Sequence, residues 1–268
     1  MQLKYKNLDY NDYITGNKFR DLCQFKFPGP IGDKGTVYCA TDNVFECLDE
    51  LKKHPGPFVL VTHNSDKHIT TDMVKAMPTN IKRWYGQNML VVDPLFVAIP
   101  IGIANPQWEH GNFDVIKNQL KQPYNKKNLC YMCNKYSTNV PERLPLYQHF
   151  WSKNYPWMVV KGDWDHQIPH KDFIQDVYAS KFVVSPPGNG LDCLRTWEAL
   201  YLGSIPIIKD VEAYSPLIDG LPVLRFNNLT LINKFFLDCA WDEALEKEWD
   251  MSKLTMNYWK ARIESDNG

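Results

Sequence analysis

The chain is 268 residues long, sets 30 lysines and arginines against 31 aspartates and glutamates, and is 44% hydrophobic. A net charge of −1 without a basic block argues against nucleic-acid binding through phosphate neutralisation. No apolar run approaches the ~20 residues of a membrane span, and the length accommodates one large domain or two small ones.

Strands and helices alternate along the chain. Residues 1–35 read as irregular, with a Pro/Gly-rich stretch at 25–35. A strand is expected at Thr36–Ala40 and a helix at Asn43–Lys53 capped by Asp42. Pro55-Gly56-Pro57 breaks the chain before an apolar strand at Phe58–Thr62. A loop at His63–Asp66, a helix near Thr71–Met77, strands at Asn88–Asp93 and Phe96–Ile99, and a helix at Phe113–Gln122 follow. The polar, basic segment Pro123–Asn128 reads as a linker, after which the pattern restarts. Strands are expected at Leu129–Cys133, Trp157–Lys161, Phe182–Ser185, Ile205–Ile208 and Pro222–Phe226. Helices are expected near Glu142–Lys153, Lys171–Ser180, Cys193–Leu202, Asp242–Asp250 and Ser252–Ser265. This alternation predicts an α/β fold with parallel sheets covered by helices on both faces. Two Rossmann-like domains with a cleft between them are the natural arrangement: 1–125, 126–245, and a final helical segment, 246–268, packing back on the first.

Seven cysteines, an odd number, and a Met1–Tyr10 segment carrying Lys4, Lys6 and Asp9 without an apolar core point to free thiols and a cytoplasmic protein. Cys130 and Cys133 have metal-ligand spacing. In a strand, however, residues three apart point to opposite faces, so buried thiols are the simpler reading.

The segment 180–210 carries the chemistry. The strand residues Phe182–Val184 lead into Pro186-Pro187-Gly188-Asn189-Gly190, where two glycines permit positive φ and close backbone approach, and a helix follows. Free amides and the dipole at such a helix start favour an anion. Arg195 and Glu198 share one helix face. Arg195 suits a diphosphate in bidentate fashion and Glu198 suits the hydroxyls of a ribose. Taken alone, the turn reads equally as a helix cap with a surface Arg–Glu pair. It is not a dinucleotide fingerprint, because Cys193 stands where the third glycine would be. That counts against an oxidoreductase.

The whole string, Phe182-Val-Val-Ser-Pro-Pro-Gly-Asn-Gly-Leu-Asp192 followed by Arg195, Trp197-Glu-Ala-Leu200 and Gly203-Ser-Ile-Pro-Ile207, resembles the exostosin-like inverting glycosyltransferases. The detailed match spans roughly residues 128–226. The resemblance implies a two-Rossmann (GT-B) fold, a UDP-sugar donor, transfer with inversion to a glycan or glycoprotein hydroxyl, and no required cofactor or obligatory metal. It implies a donor site drawing on Ser185, Pro187, Gly188, Asn189, Gly190, Asp192, Arg195 and Glu198. Arg143, after the first strand of the second half, and Lys161, at a strand end, are further candidates toward the diphosphate. Their plain alternatives are a surface salt bridge and an exposed strand-end lysine; for Ser185 the alternative is a structural cap. Asp163-Trp164-Asp165 has the spacing of a metal site. Members in animals are membrane-anchored; this short chain without an anchor is expected to be a small soluble member of bacterial or viral type. Among the sugars such enzymes transfer, the compact loops point to xylose.

Inverting transfer needs a general base facing the donor, expected from the first half. Asp66 and then His63, in the loop after the strand Phe58–Thr62, are the candidates, with Asp93 third. An Asx-turn for Asp66 and a core role for His63 are the alternatives. Trp84, Tyr85 and Trp108 are candidate platforms for a sugar acceptor. A non-catalytic carbohydrate- or nucleotide-binding module of the same fold is the competing reading.

Overall fold

A computed structural model describes residues 1–163 and 168–267. In chain order the elements are β1 (Lys4–Lys6), α1 (Gly16–Leu22), β2 (Phe25–Phe27), β3 (Gly35–Ala40), α2 (Val44–Leu51), β4 (Phe58–His63), α3 (Thr71–Ala76), β5 (Ile81–Gly86), β6 (Phe96–Ala98) and α4 (Asp114–Leu120). The second half comprises β7 (Asn128–Cys133), α5 (Val140–Lys153), β8 (Met158–Lys161), α6 (His170–Tyr178), β9 (Ser180–Val184), α7 (Leu194–Tyr201), β10 (Ile205–Lys209), α8 (Ser215–Ile218) and β11 (Leu224–Phe226). α9 (Lys234–Glu246), β12 (Glu248–Asp250) and α10 (Met256–Asn267) close the chain.

The first sheet runs β2-β3-β4-β5-β6 and the second β11-β10-β9-β7-β8. Every pairing in both is parallel. Parallel strands are covered on both faces and therefore read as continuous apolar runs, as in Phe58-Val-Leu-Val. Alternation along β4 sorts its residues between two cores. Phe58 and Leu60 pack with Leu48 of α2 and Met73 of α3. Val59 and Val61 pack with Phe19 of α1 and with Trp259 and Ile263 of α10.

The second sheet is divided in the same way. Cys130, Met132, Phe182 and Ile207 face Phe150 of α5 and Trp241 of α9. Tyr131, Cys133, Val183 and Ile208 face Val177 of α6 and Trp197 of α7, in the core that also holds Val59 and Trp259. One central core is thus common to both halves. Cys130 and Cys133 fall in different cores, so the strand carries their sulfurs to opposite faces. The chain ends pair as well, β1 lying parallel to β12 with Tyr5 opposite Trp249.

Several elements differ from the sequence expectation. β5 forms at Ile81–Gly86, where Lys82 and Arg83 interrupt the apolar pattern. The apolar run 88–93 is instead a loop, with Leu90 and Val92 exposed. Pro94 follows it, and only Met89 makes an isolated bridge, to Ile69. Residues 1–35 contain β1, α1 and β2 rather than irregular chain. The helix expected at 242–250 starts eight residues earlier, at Lys234, where Asn233 caps it by accepting from Phe236 N–H at 3.0 Å. It ends before β12. The buried face of α10 is Met256, Trp259 and Ile263; Leu254 is buried in the turn before it, and Trp249 lies in β12. Segment 123–127 lacks regular structure but is docked, because Lys126 donates to Leu202 O at 3.0 Å and Ser204 Oγ at 2.6 Å.

Tyr201 fastens this arrangement. Its hydroxyl accepts from Ile14 N–H at 3.1 Å and donates to Leu254 O. Tyr201→Phe leaves both backbone groups unpaired while keeping the ring against Phe113. The expected loss is about 1–3 kcal/mol of unfolding free energy, read as a lower urea midpoint with an unchanged m-value.

Candidate functional site

The second sheet reverses its winding at β7. The chain leaves β7 to β8 on one side and places β9 on the other. Open α/β sheets bind ligands at such a switch point, outside the carboxyl ends of the strands. A cleft of 560 Å³ lies there. Asp66 and Ile101 of the first half line it, opposite Arg143, the Gly188–Gly190 turn, Arg195 and Glu198 of the second.

The turn is held from behind. Arg143 is 6% exposed, and its Nε and Nη1 donate to Pro187 O and Lys135 O, both at 2.9 Å. Asn139 Nδ2 donates to Gly188 O at 2.8 Å, and Gly188 N–H closes the turn on Gly190 O at 3.0 Å. The expectation of positive φ at these glycines is not met; neither is among the left-handed residues. Their need is close approach. A Cβ on Gly188 would lie 2.7 Å from Arg143 Nη2, and one on Gly190 2.5 Å from Asn88 Nδ2.

Arg195 enters the cleft from the first turn of α7. Its Nε and Nη1 are buried and have no hydrogen-bond partner. Arg143 stands close enough that burial, and next the charge of Arg195, pull its guanidinium down to about 10. One turn further along α7, buried Glu198 accepts from His170 Nε2 at 2.8 Å, and His170 Nδ1 is buried without a partner.

Asp192 is on the cleft wall, but its carboxylate serves the protein. It accepts from Ile101 N–H at 2.7 Å, from Trp197 Nε1 at 2.9 Å and from the Tyr214 hydroxyl. Asn189 reaches across the cleft, its Nδ2 donating to Asp66 Oδ2 at 3.1 Å. The remaining sequence candidates lie elsewhere. Ser185 is buried, its Oγ bonded to Thr196 Oγ1 at 2.9 Å. Lys161 pairs with Asp176 at 2.6 Å and does not line the cleft. Pro187 contributes only the carbonyl that Arg143 holds.

His63 is 1% exposed. Its Nδ1 accepts from Asn64 N–H at 2.7 Å, so Nε2 carries the proton toward Pro100 O at 3.0 Å. It is a core histidine and does not reach the cleft. Asp93 accepts from Leu95 N–H as an Asx-turn, in a separate crevice. Trp84 and Tyr85 are core residues, whereas Trp108 is exposed beside Glu109 and His110 of the cleft. Asp163-Trp164-Asp165 extends beyond the described residues at Trp164.

Among the cleft residues that sequence reasoning passed over, His170 and Asn134 carry buried polar atoms without a partner. His170 opens α6 directly after Pro169. Asn134 directly follows β7, and its amide nitrogen and oxygen are both buried and unpartnered. The strand-end rule that singled out Ser185 and Lys161 would have found Asn134 had it been applied to β7.

Residues 110–221 match the family model described as the RXYLT1 C-terminal domain. This segment holds Arg143, Asn134, His170, the Gly188–Gly190 turn and α7, so the second half is similar to an exostosin-like xylosyltransferase domain. No curated protein sequence matches the chain. The solved structure described as "OtsA apo structure" superposes with a TM-score of 0.50 at 12% identity, covering 88% of this chain and 73% of that one. It shares the two-Rossmann fold. An alpha1,3-fucosyltransferase superposes with a TM-score of 0.45 at 9% identity, over 89% of this chain and 78% of that one.

Two enclosed groups near the cleft respond to acid in opposite directions. Burial pulls the His63 imidazole from 6.5 down to about 4, so its contribution is full above pH 6.5 and is lost as pH falls toward 4. Burial pushes the Asp192 carboxyl from 3.8 up to about 6, so the folded chain takes its proton first and gains stability as pH falls through 6. Each effect is worth roughly 3 kcal/mol at most, and in the wild type they offset. Urea midpoints at pH 7 and 4.5 check this. On acidification, His63→Gln should gain stability relative to wild type and Asp192→Asn should lose it. Parallel pH slopes in all three proteins would refute the assignment.

Proposed function

We propose that the chain is a glycosyltransferase taking its sugar from a nucleotide-sugar donor, a UDP sugar, and passing it with inversion to a glycan hydroxyl. One observation carries the reading. Arg195 has two buried, unpartnered guanidinium nitrogens, Nε and Nη1, and lines with a second buried guanidinium, Arg143, a cleft at the switch point. Two like charges held together in low dielectric repel unless an anion joins them. A diphosphate is the anion that the size of the cleft and the family-model match support.

In this reading Arg195 and the start of α7 receive the diphosphate, and Arg143 holds the turn so that its backbone stays close. As the bond to the anomeric carbon breaks, negative charge develops on the leaving diphosphate, and the fixed guanidiniums stabilise it without reorganising. That supplies the electrostatic role a divalent cation would otherwise fill. Glu198 takes the ribose hydroxyls, exchanging its His170 bond for them. Asp66, oriented by Asn189 from across the cleft, removes the acceptor proton during in-line attack. Xylose as the transferred sugar belongs to the same proposal, supported by the similarity of residues 110–221 to the RXYLT1 C-terminal domain.

Calorimetry with UDP tests the donor site. Arg195→Ala should weaken UDP by about 100-fold, the worth of one or two charge-assisted hydrogen bonds; an unchanged dissociation constant would overturn the reading. Asp66→Asn separates binding from chemistry. It should leave UDP affinity intact and lower donor turnover by about 10²- to 10⁴-fold. Full turnover in that variant would remove Asp66 as base.

A further inference from the structure

Asn134 is 3% exposed, and neither atom of its amide has a hydrogen-bond partner. Buried polar groups are nearly always satisfied, so a fully orphaned amide needs a cause. Its place supplies one. The residue directly follows β7, on the rim of the switch point, and lines the cleft that holds Arg143 and Arg195. Its backbone is fixed, because Gly162 packs so closely that a Cβ there would lie 2.6 Å from Asn134 O. The side chain therefore presents an acceptor and a two-hydrogen donor to whatever enters.

The chemistry of an amide narrows that ligand. A phosphate only accepts hydrogen bonds. It would satisfy Nδ2 and leave Oδ1 buried against another oxygen. A hydroxyl both donates and accepts, so it satisfies both ends. The diphosphate already has the guanidiniums, and Asn134 adjoins that cradle through Lys135, whose carbonyl Arg143 holds at 2.9 Å. The ribose is assigned above to Glu198, which lines the same cleft from α7. Resting on the donor-site reading above, we propose that Asn134 is a specificity residue whose amide exchanges hydrogen bonds with a hydroxyl of the donor's sugar.

The test compares UDP with whichever of UDP-xylose, UDP-glucose and UDP-N-acetylglucosamine the wild type binds most tightly, by calorimetry, in Asn134→Leu and Asn134→Ala. UDP affinity should stay within about twofold of wild type, and the sugar nucleotide should weaken about tenfold, the worth of two neutral hydrogen bonds. Ligand-free Asn134→Leu should melt no lower than wild type, since it removes an unsatisfied amide. Equal weakening of UDP and the sugar nucleotide in both variants would overturn the proposal by placing the contact on the nucleotide. Unchanged sugar-nucleotide affinity in both would overturn it as well, leaving the donor site itself intact. A wild type that binds neither UDP nor any of the three sugar nucleotides would overturn the donor-site reading and, with it, this one.

Discussion

A single buried carboxylate ties the two halves together at the wall of the cleft. Asp192 takes an N–H from Ile101 in the first half and the indole and phenol of Trp197 and Tyr214 in the second. Its own N–H goes to Asn88 of the first half at 2.9 Å. Because the residue stands between the Gly188–Gly190 turn and α7, whatever fixes Asp192 also fixes both walls of the anion cradle. Desolvation pushes its carboxyl up to about 6 despite these donors. The fold therefore tolerates a costly ionised group at this point, and the return is a fixed geometry between halves.

That geometry allows the cleft to keep polar groups unpaired. Among the described residues, nine buried side-chain polar atoms have no partner, and five of them belong to Arg195, Asn134 and His170. The orphans elsewhere are single atoms, such as the Tyr5 hydroxyl and Thr41 Oγ1. A cation, a neutral amide and an imidazole nitrogen are thus concentrated in one cavity, the combination on which the proposed sugar-nucleotide ligand rests.

Much of this was legible in the sequence because it rests on local rules. The apolar runs at β4 and β9, the break at Pro55–Pro57, and the strand–turn–helix from Phe182 to Tyr201 are short-range patterns with short-range causes. Arg195, Glu198 and the glycines followed from that segment, and Asp66 from its position after β4. What failed depended on distant partners. β5 carries two basic residues and becomes a strand only because β4 and β6 pair with it. His63 looks like a cleft residue by spacing, but Asn64 N–H and Pro100 O capture its ring inside the core. Lys161 ends its strand as expected, yet Asp176, fifteen residues on, takes its ammonium. Asp192 lies within the donor string, and only the structure shows that the first half claims it.

Unpaired charge also demands walls that do not collapse onto it, and here the chain ends contribute. α10 returns from the second half to cover β4, and Asp266 near its end accepts from Arg83 Nε at 3.0 Å and from the Tyr85 hydroxyl at 2.5 Å. β12 pairs with β1. The central core then runs without interruption from Val59 through Trp259 and Trp197 to Val183. The two sheets share this core on the side that carries α7 and Arg195. For the function proposed above, a cradle held by the shared core consumes less of the interaction energy with a donor in arranging itself and leaves more for the charge that develops on the leaving diphosphate.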